Sequence, residues 1–237
     1  PQPPNPSLEK IGYIINEGGF NDENASVSFI NITKKIVFSD YFNSVNGFNL
    51  GDIAQSMGEY EDNYFIVVNN SAKIEVVNKE TFISQLTIEN MGSPRYFLGI
   101  NDTLAYVSDL FAGVVWQIDQ NTGSKYQSIA VNGWSEQMEK IGEAVFVTLP
   151  GANQIGVIDI DSQALIDSIP IDLSPQKMVK DRFDMLWVVG SVWQGPSKLY
   201  KINPFSRAIL GEWEFDVDNP LTQLTIDPLG ITIYYSI

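Results

Sequence analysis

Short apolar segments alternate with polar ones along most of this chain, and one arrangement recurs. Each copy has a strand-like segment centred on an aromatic residue, and then an apolar segment that ends in an aliphatic residue followed by Asp or Asn. The copies lie 40 to 47 residues apart, which indicates an internal repeat. The aromatic centres are Tyr13, Phe65, Tyr106, Phe146, Trp187 and Tyr234. The segment ends are Ile30–Asn31, Val77–Asn78, Ile118–Asp119, Ile158–Asp159 and Ile202–Asn203.

Each repeat predicts four consecutive antiparallel strands. The clearest copy is residues 93–133, with strands predicted at 96–100, 104–108, 114–119 and 125–131 and polar turns between them. Four such strands repeated at this length are typical of a β-propeller blade. Because no segment shows helix caps with a 3.6-residue apolar period, almost no helix is expected. The sequence therefore predicts an all-β propeller.

The repeat frame predicts one domain over residues 11–237, preceded by a leader at residues 1–10. The chain opens at the second strand of a unit, contains four complete units and ends inside another, so it holds about five and a half blades. A seven-bladed ring of such repeats needs about 300 residues, which favours a chain that is incomplete at its C-terminus. A compact five-bladed ring with an extra edge segment is the alternative. The complete units begin near Asp52, Ser93, Ser135 and Pro175.

Composition excludes several kinds of chemistry. The formal net charge is −15, and the 14 basic residues form no run, which disfavours nucleic acid and anionic membrane surfaces as partners. There is no cysteine and no histidine, so thiolate nucleophiles, serine–histidine triads and histidine-ligated metals or haem are absent from this chain. No apolar stretch approaches the roughly 18 residues of a membrane helix. We predict no catalytic residue, no metal site and no cofactor.

The leader is rich in proline, reading Pro-Gln-Pro-Pro-Asn-Pro-Ser from its first residue. Such a stiff, extended segment typically spaces a domain from an anchor. The sequence thus favours an extracytoplasmic protein, either a surface or outer-membrane lipoprotein with a lipid anchor upstream of residue 1 or a periplasmic protein.

The segment VFVTLPGANQIGVIDID at residues 145–161, continued by SIPID at 168–172, resembles the YVTN repeat of YncE-like propellers. The resemblance implies the fold and says little about function, because the motif residues are structural. On this interpretation Asp119, Asp159 and Asn203 are turn caps. The sequence is rich in asparagine and contains no histidine, and in this composition it is also similar to the surface lipoprotein propellers of Bacteroidetes. Some of those capture cobalamin, which implies a corrinoid ligand by analogy only.

Ligand binding is expected on one face, built by the loops between second and third strands and by the connections between blades. Exposed aromatic and polar side chains in these loops suit a large, partly apolar ligand or a protein loop. By contrast, Trp116, Trp187 and Trp213 lie in predicted strands and are expected in the core. The predicted ligand-binding residues are Phe20, Phe48, Arg95, Phe111, Trp134, Asn153, Gln154, Gln176, Trp193 and Gln194.

Two functions of different class follow. The first is a non-enzymatic propeller that captures a small-molecule ligand or another surface or outer-membrane protein. The second is a metal-dependent hydrolase or lactonase, for which Glu136 and Glu139 are the best-placed carboxylates although no convergent set accompanies them. The acidic clusters at 21–24 and 216–219 lack EF-hand spacing and are expected to be solvated turns rather than calcium sites.

Overall fold

The computed structural model describes residues 11–216, 221 and 223–236, so the predicted leader lies outside the described residues. Nearly all regular structure in this part of the chain is antiparallel β-sheet, which confirms the predicted all-β class. The chain forms two compact units. Residues 11–111 and 116–127 make up the first, and 112–115 with the described residues from 128 onward make up the second.

The described strands form six sheets, and each sheet contains strands that are consecutive in the chain. The first has three strands, the next four have four strands each, and the last has two. The first sheet contains β1 (Ile11–Asn16), β2 (Ser26–Asn31) and β3 (Ile36–Phe38). The second contains β4 (Ala54–Tyr60), β5 (Asn63–Val68), β6 (Lys73–Asn78) and β7 (Ser84–Ile88). The third contains β8 (Pro94–Gly99), β9 (Leu104–Asp109), β10 (Val114–Asp119) and β11 (Lys125–Ala130).

The remaining sheets continue the same order. The fourth contains β12 (Met138–Ile141), β13 (Ala144–Leu149), β14 (Gln154–Asp159) and β15 (Ala164–Pro170). The fifth contains β16 (Ser174–Lys180), β17 (Leu186–Ser191), β18 (Ser197–Ile202) and β19 (Ile209–Phe215). The sixth contains β20 (Gln223–Ile226) and β21 (Ile233–Ser236). The four complete sheets confirm the four predicted units, and the first sheet has three strands.

One short α-helix lies among the strands, in agreement with the prediction of almost no helix. The six-residue helix α1 (Tyr41–Asn46) follows β3, and its Tyr41 and Phe42 are buried. The Asn46 side chain connects it to the second sheet, because Nδ2 donates to the Phe82 carbonyl at 3.1 Å and Oδ1 accepts from Ser84 N–H at 2.8 Å. A helix of this length is shorter than two turns, so no 3.6-residue period could reveal it in the sequence.

The central strands are buried on both faces. In β13, five of six residues are buried, and β5 is buried from Phe65 to Val68. Within the first unit, the rings of Phe65 and Phe97 stack with centroids 3.7 Å apart, and so join the second and third sheets. Gly99 is required there, because a Cβ at this position would lie 2.1 Å from the Tyr60 ring. Continuous apolar runs in these strands therefore reflect packing between sheets.

The three strand tryptophans differ in burial. Trp116 and Trp187 are half-buried, and their indole N–H groups donate to carboxylates at 3.1 Å and 3.0 Å, on Asp109 and Asp181 respectively. Trp213 stacks on Trp187 with centroids 5.5 Å apart, yet it is 46% exposed. The prediction that Trp213 belongs to the core is wrong, because β19 is the outermost strand of its sheet.

The recurring Asp or Asn residues cap turns, as predicted. Asn31 Oδ1 accepts from Lys34 N–H at 2.8 Å, and Asp159 Oδ1 accepts from Ser162 N–H at 2.7 Å. Asn203 Oδ1 accepts two backbone N–H groups, those of Phe205 at 2.9 Å and Ser206 at 3.0 Å. Asn78 and Asp119 make equivalent bonds. These bonds satisfy backbone donors that the hairpin ladder leaves free.

Replacing Asn203 by Ala is expected to lower the free energy of unfolding by about 1–2 kcal/mol, because two N–H groups of a tight turn lose their acceptor. Ser206→Ala in the same turn is the control and should change stability by less than about 0.5 kcal/mol. Urea unfolding followed by tryptophan fluorescence measures both. Equal effects of the two variants would contradict a capping role for Asn203.

Candidate functional site

The connections between strands form two different edges in each unit. We call the loop edge the one that carries the second-to-third strand loops and the connections between sheets. We call the turn edge the opposite one, where short hairpin turns carry the Asp and Asn caps. The candidate residues lie in the connections of the loop edge or directly beside them.

In the first unit, the two kinds of loop-edge connection bond directly to each other. Ala25 N–H donates to the Gly51 carbonyl at 3.0 Å, and Met91 N–H donates to the Ala72 carbonyl at 2.9 Å. The Leu110 N–H donates to the Ser93 carbonyl at 2.9 Å. The two predicted loop sets are therefore neighbours in this unit.

The second unit repeats the arrangement with side chains taking part. Val131 N–H donates to the Gly113 carbonyl at 2.9 Å. Ser174 Oγ donates to the Pro150 carbonyl at 3.0 Å, and Ser197 Oγ accepts from Leu221 N–H at 2.8 Å. Loops tied in this way present their remaining side chains from a fixed backbone.

The five predicted aromatic side chains are exposed. Trp193 is 89% exposed and Phe111 is 74% exposed, whereas Phe48 packs one edge against the buried Phe42 at 5.2 Å. Within the described part of each unit, no ring contact joins these aromatics to one another. In each unit they are therefore individually exposed side chains rather than members of an aromatic cluster. The others are Phe20 and Trp134.

Three of the predicted polar residues already have partners. The Arg95 guanidinium donates to Gln55 Oε1. Gln176 Nε2 donates to Ser174 Oγ at 3.0 Å, although the side chain is largely exposed. Asn153 ends the short 3₁₀ turn Pro150–Ala152 with a positive φ of 52°, and its carbonyl accepts from Ile171 N–H at 3.0 Å. These residues therefore stabilise the loops of the loop edge through hydrogen bonds within the protein, in addition to any contact with a ligand.

The last two predicted polar residues differ in surroundings. Gln194 is exposed in the Trp193 loop, with a φ of 53°. Gln154 is half-buried and lines a cavity of about 300 Å³ together with Asn132 and Leu165. The cavity contacts only one of the predicted residues, so it does not unite the set.

Sequence reasoning missed the buried carboxylate that holds the Phe111 loop. Asp109 is fully buried at the end of β9. Its Oδ1 accepts from Phe111 N–H at 2.9 Å, and its Oδ2 accepts from Ser93 N–H at 3.0 Å and from the Trp116 indole. An acidic residue that ends an otherwise apolar strand was the available signal.

A second missed carboxylate, Asp52, lies where the chain enters the second sheet and is 5% exposed. Its Oδ2 accepts from Asn21 N–H at 2.8 Å and also from the Asn70 side-chain amide. Its backbone N–H donates to Ser71 Oγ at 2.8 Å. Asp52 thus connects the Phe20 loop to the next loop of the first unit.

Glu136 and Glu139, the carboxylates named for a hydrolase, lie in the second unit. Glu136 is buried, and its N–H donates to the Thr148 carbonyl at 3.0 Å. Burial raises the pKa of Glu139 from its ordinary 4.5 to about 7, and the nearby Lys180 opposes that rise. Across the described residues, no three His, Asp or Glu side chains cluster as metal ligands.

The helices found there are also too short or too polar to span a membrane.

Comparison with known proteins gives the family. A family model described as a domain of unknown function, DUF5074, matches residues 11–217. The chain belongs to the DUF5074 family. No curated protein matches it. The YncE-like assignment of the repeat is therefore not the family that the comparison shows, although the propeller expectation stands.

Solved structures show the fold of this DUF5074 domain. It is similar to the WD40 β-propeller domain of Doa1, with a TM-score of 0.68 and 4% identity over 89% of this chain and 68% of that one. It is also similar to a candidate 6-phosphogluconolactonase from Bacteroides uniformis, with a TM-score of 0.70 and 10% sequence identity. That match covers 95% of this chain and 74% of the other. Hydrazine synthase from Kuenenia stuttgartiensis is similar with a TM-score of 0.67 and 18% sequence identity. That match covers 73% of this chain and about half, 51%, of the other. At these identities the likeness shows the propeller fold alone.

Glu139→Gln tests the raised pKa. Folded protein holds this proton up to about pH 7, whereas the unfolded chain releases it near 4.5. The wild type should therefore lose stability as the pH rises from about 4.5 to about 7, and at pH 8 the variant should be more stable by about 3 kcal/mol. Below about pH 4.5 the wild type and the variant should have the same free energy of unfolding. Urea unfolding at several pH values measures this, with the exposed Glu143→Gln as control, and a pH-independent difference would contradict it.

Proposed function

We propose that this DUF5074 domain is a non-enzymatic binding propeller that captures a ligand or partner protein on its loop edge. The observation that carries the proposal is the set of exposed aromatic side chains on loops whose backbones are fixed by hydrogen bonds. Trp193 in the second unit and Phe111 in the first are the most exposed of them. Aromatic anchors that lose little conformational entropy are the side chains that dominate binding surfaces.

The exposure of these anchors favours a large binding partner. A small ligand needs a concave pocket that covers most of its surface, whereas Trp134 and Trp193 are 49% and 89% exposed. The formal charge of −15 favours a neutral or cationic partner. A corrinoid, which is large and carries many amide groups, and a protein loop both fit this chemistry. We further propose an extracytoplasmic location, on the cell surface as a lipoprotein or in the periplasm, from the proline-rich leader.

Alanine substitution of Trp134 and Trp193 tests the loop edge. Cyanocobalamin is titrated into wild type and variants by calorimetry, and proteins that co-purify from the native cell are quantified by mass spectrometry. Each substitution is expected to weaken binding of the true partner at least about fivefold, a loss of about 1 kcal/mol. Stability should change little, because neither side chain is buried.

Phe183→Ala provides the matched control, since Phe183 is 69% exposed but lies on the turn edge of the fifth sheet. A partner lost by the tryptophan variants and kept by this control supports the proposal. A partner lost equally by all three variants, or by none, places the binding surface elsewhere.

A lactonase is the second candidate, and Glu139 favours it because a carboxyl with a pKa of about 7 is poised for proton transfer. The similar structure described as a candidate 6-phosphogluconolactonase gives the substrate to test. The expected result is that this DUF5074 domain leaves the hydrolysis rate of 6-phosphogluconolactone unchanged. An accelerated rate that falls in Glu139→Gln would replace the binding proposal with an enzymatic one.

A further inference from the structure

Two Asn–Gly pairs occur in this sequence, Asn46–Gly47 and Asn132–Gly133. Glycine lacks a Cβ, so its backbone nitrogen can approach the side-chain carbonyl of the preceding asparagine closely. The nitrogen can then attack that carbonyl carbon and close a five-membered succinimide ring. The reaction needs an asparagine side chain that is free to turn and a glycine N–H that is free of hydrogen bonds. The structure gives the two pairs opposite surroundings in both respects.

The first pair is protected by hydrogen bonds on both reacting groups. Asn46 Nδ2 donates to the Phe82 carbonyl at 3.1 Å, and its Oδ1 accepts from Ser84 N–H at 2.8 Å. The Gly47 N–H donates to the Asn43 carbonyl at 2.7 Å. The ring can therefore form at this pair only after α1 opens locally.

The second pair has no such protection. Asn132 is exposed, and within the described residues no group forms a hydrogen bond with its side chain or with the Gly133 N–H. Asn132 has a φ of 58° and Gly133 a φ of 145°, a backbone conformation that suits Asn and Gly better than other residues. A Cβ on Gly133 would meet no atom within 4 Å, so the space around this glycine is open.

The residues on either side of this second pair are fixed. Val131 is buried, and its N–H donates to the Gly113 carbonyl at 2.9 Å. Ser135 is fully buried, and its Oγ donates to the Val114 carbonyl at 2.9 Å. The exposed Trp134 lies between these two fixed residues. A chemical change at the pair is therefore confined to a short segment that carries one of the loop-edge aromatic side chains.

We propose that Asn132 is a site of non-enzymatic deamidation. The Gly133 nitrogen forms a bond to Asn132 Cγ, the amide nitrogen of Asn132 leaves as ammonia, and the Gly133 N–H proton passes through solvent to that leaving group. Water then opens the succinimide ring at one of its two carbonyls. Opening at Cγ leaves aspartate at position 132. Opening at the backbone carbonyl leaves isoaspartate, in which the main chain runs through the former side chain.

Both products change the surface beside Trp134. Each adds one negative charge to the formal −15, and isoaspartate also adds a methylene group to the backbone. Because Val131 and Ser135 stay fixed, the residues between them must accommodate the longer backbone, and the Trp134 side chain is reoriented. The deamidation follows from the geometry of the pair alone, whereas its effect on capture rests on the proposed function.

Incubation of the full chain at pH 8, in buffer and in concentrated urea, followed by tryptic peptide mass spectrometry, tests the deamidation. The peptide 126–140 contains a single asparagine, so a mass gain equal to the replacement of an amide by an acid reports on Asn132. Fragment spectra of the peptide 36–73 report on Asn46. In folded protein Asn132 should convert at least about tenfold faster than Asn46, which three hydrogen bonds of about 1 kcal/mol each protect. In urea the two should convert at similar rates.

Two variants test the ring chemistry. Gly133→Ala places a Cβ beside the attacking nitrogen, and Asn132→Gln would require a six-membered ring. Each should slow conversion at position 132 at least about tenfold and leave the rate at Asn46 unchanged. Asn132→Gln also keeps the test decisive if the positive φ of Gly133 prevents Gly133→Ala from folding. A rate at Asn132 in folded protein that equals the rate at Asn46, or that rises more than about tenfold in urea, would overturn the proposal.

The effect on capture is measured with the same incubated samples. Cyanocobalamin and the proteins that co-purify from the native cell are the probes, and incubated Asn132→Gln is the control. Incubation should weaken capture by wild type and not by the control, and equal capture by fresh and incubated wild type would overturn the predicted effect on Trp134. If fresh wild type captures neither probe, the capture function is wrong, and the mass spectra alone decide the deamidation.

Discussion

Burial of the central strands on both faces is the constraint on which the rest of this structure depends. In β13 five of six residues are buried, and in β5 four of six are, so neither face of these strands is open to a ligand. Sheets packed in this way offer only their edges and their outermost strands to solvent. Exposed side chains therefore lie on the outermost strands and at the ends of the strands, and the two ends are built differently.

The turn edge uses its polar groups locally. Asn203 and Asp159 bond to N–H groups only two or three residues further along the chain, so they have little capacity for a ligand. The loop edge has longer connections, and groups distant in sequence hold them. Asp109, for example, orients Phe111 and Trp116 while it accepts from Ser93. The hydrogen-bonded backbone and the exposed aromatic side chains of the loop edge together support the proposal that ligands bind there.

The sequence predicts features that arise within a few residues and misses those that join distant segments. The caps and the strand frame follow from local pattern, and so do the exposed loop aromatics such as Trp193, which lies among glycine and polar residues. The exposure of Trp213 and the burial of Asp52 depend on which segments pack together. Asn21 and Asp52 are 31 residues apart, and Tyr13 stacks on Phe82 of another sheet's turn at 4.6 Å. No periodicity in one chain encodes such pairings.

The buried carboxylates show why Asp52 differs from the others. Glu75 is completely buried, but it contacts Lys73 at 3.3 Å and accepts from the Thr87 and Ser84 hydroxyls. Asp109 has N–H donors on both oxygens. Asp52 has donors on one oxygen only, in a chain whose net charge of −15 makes another buried anion less favourable.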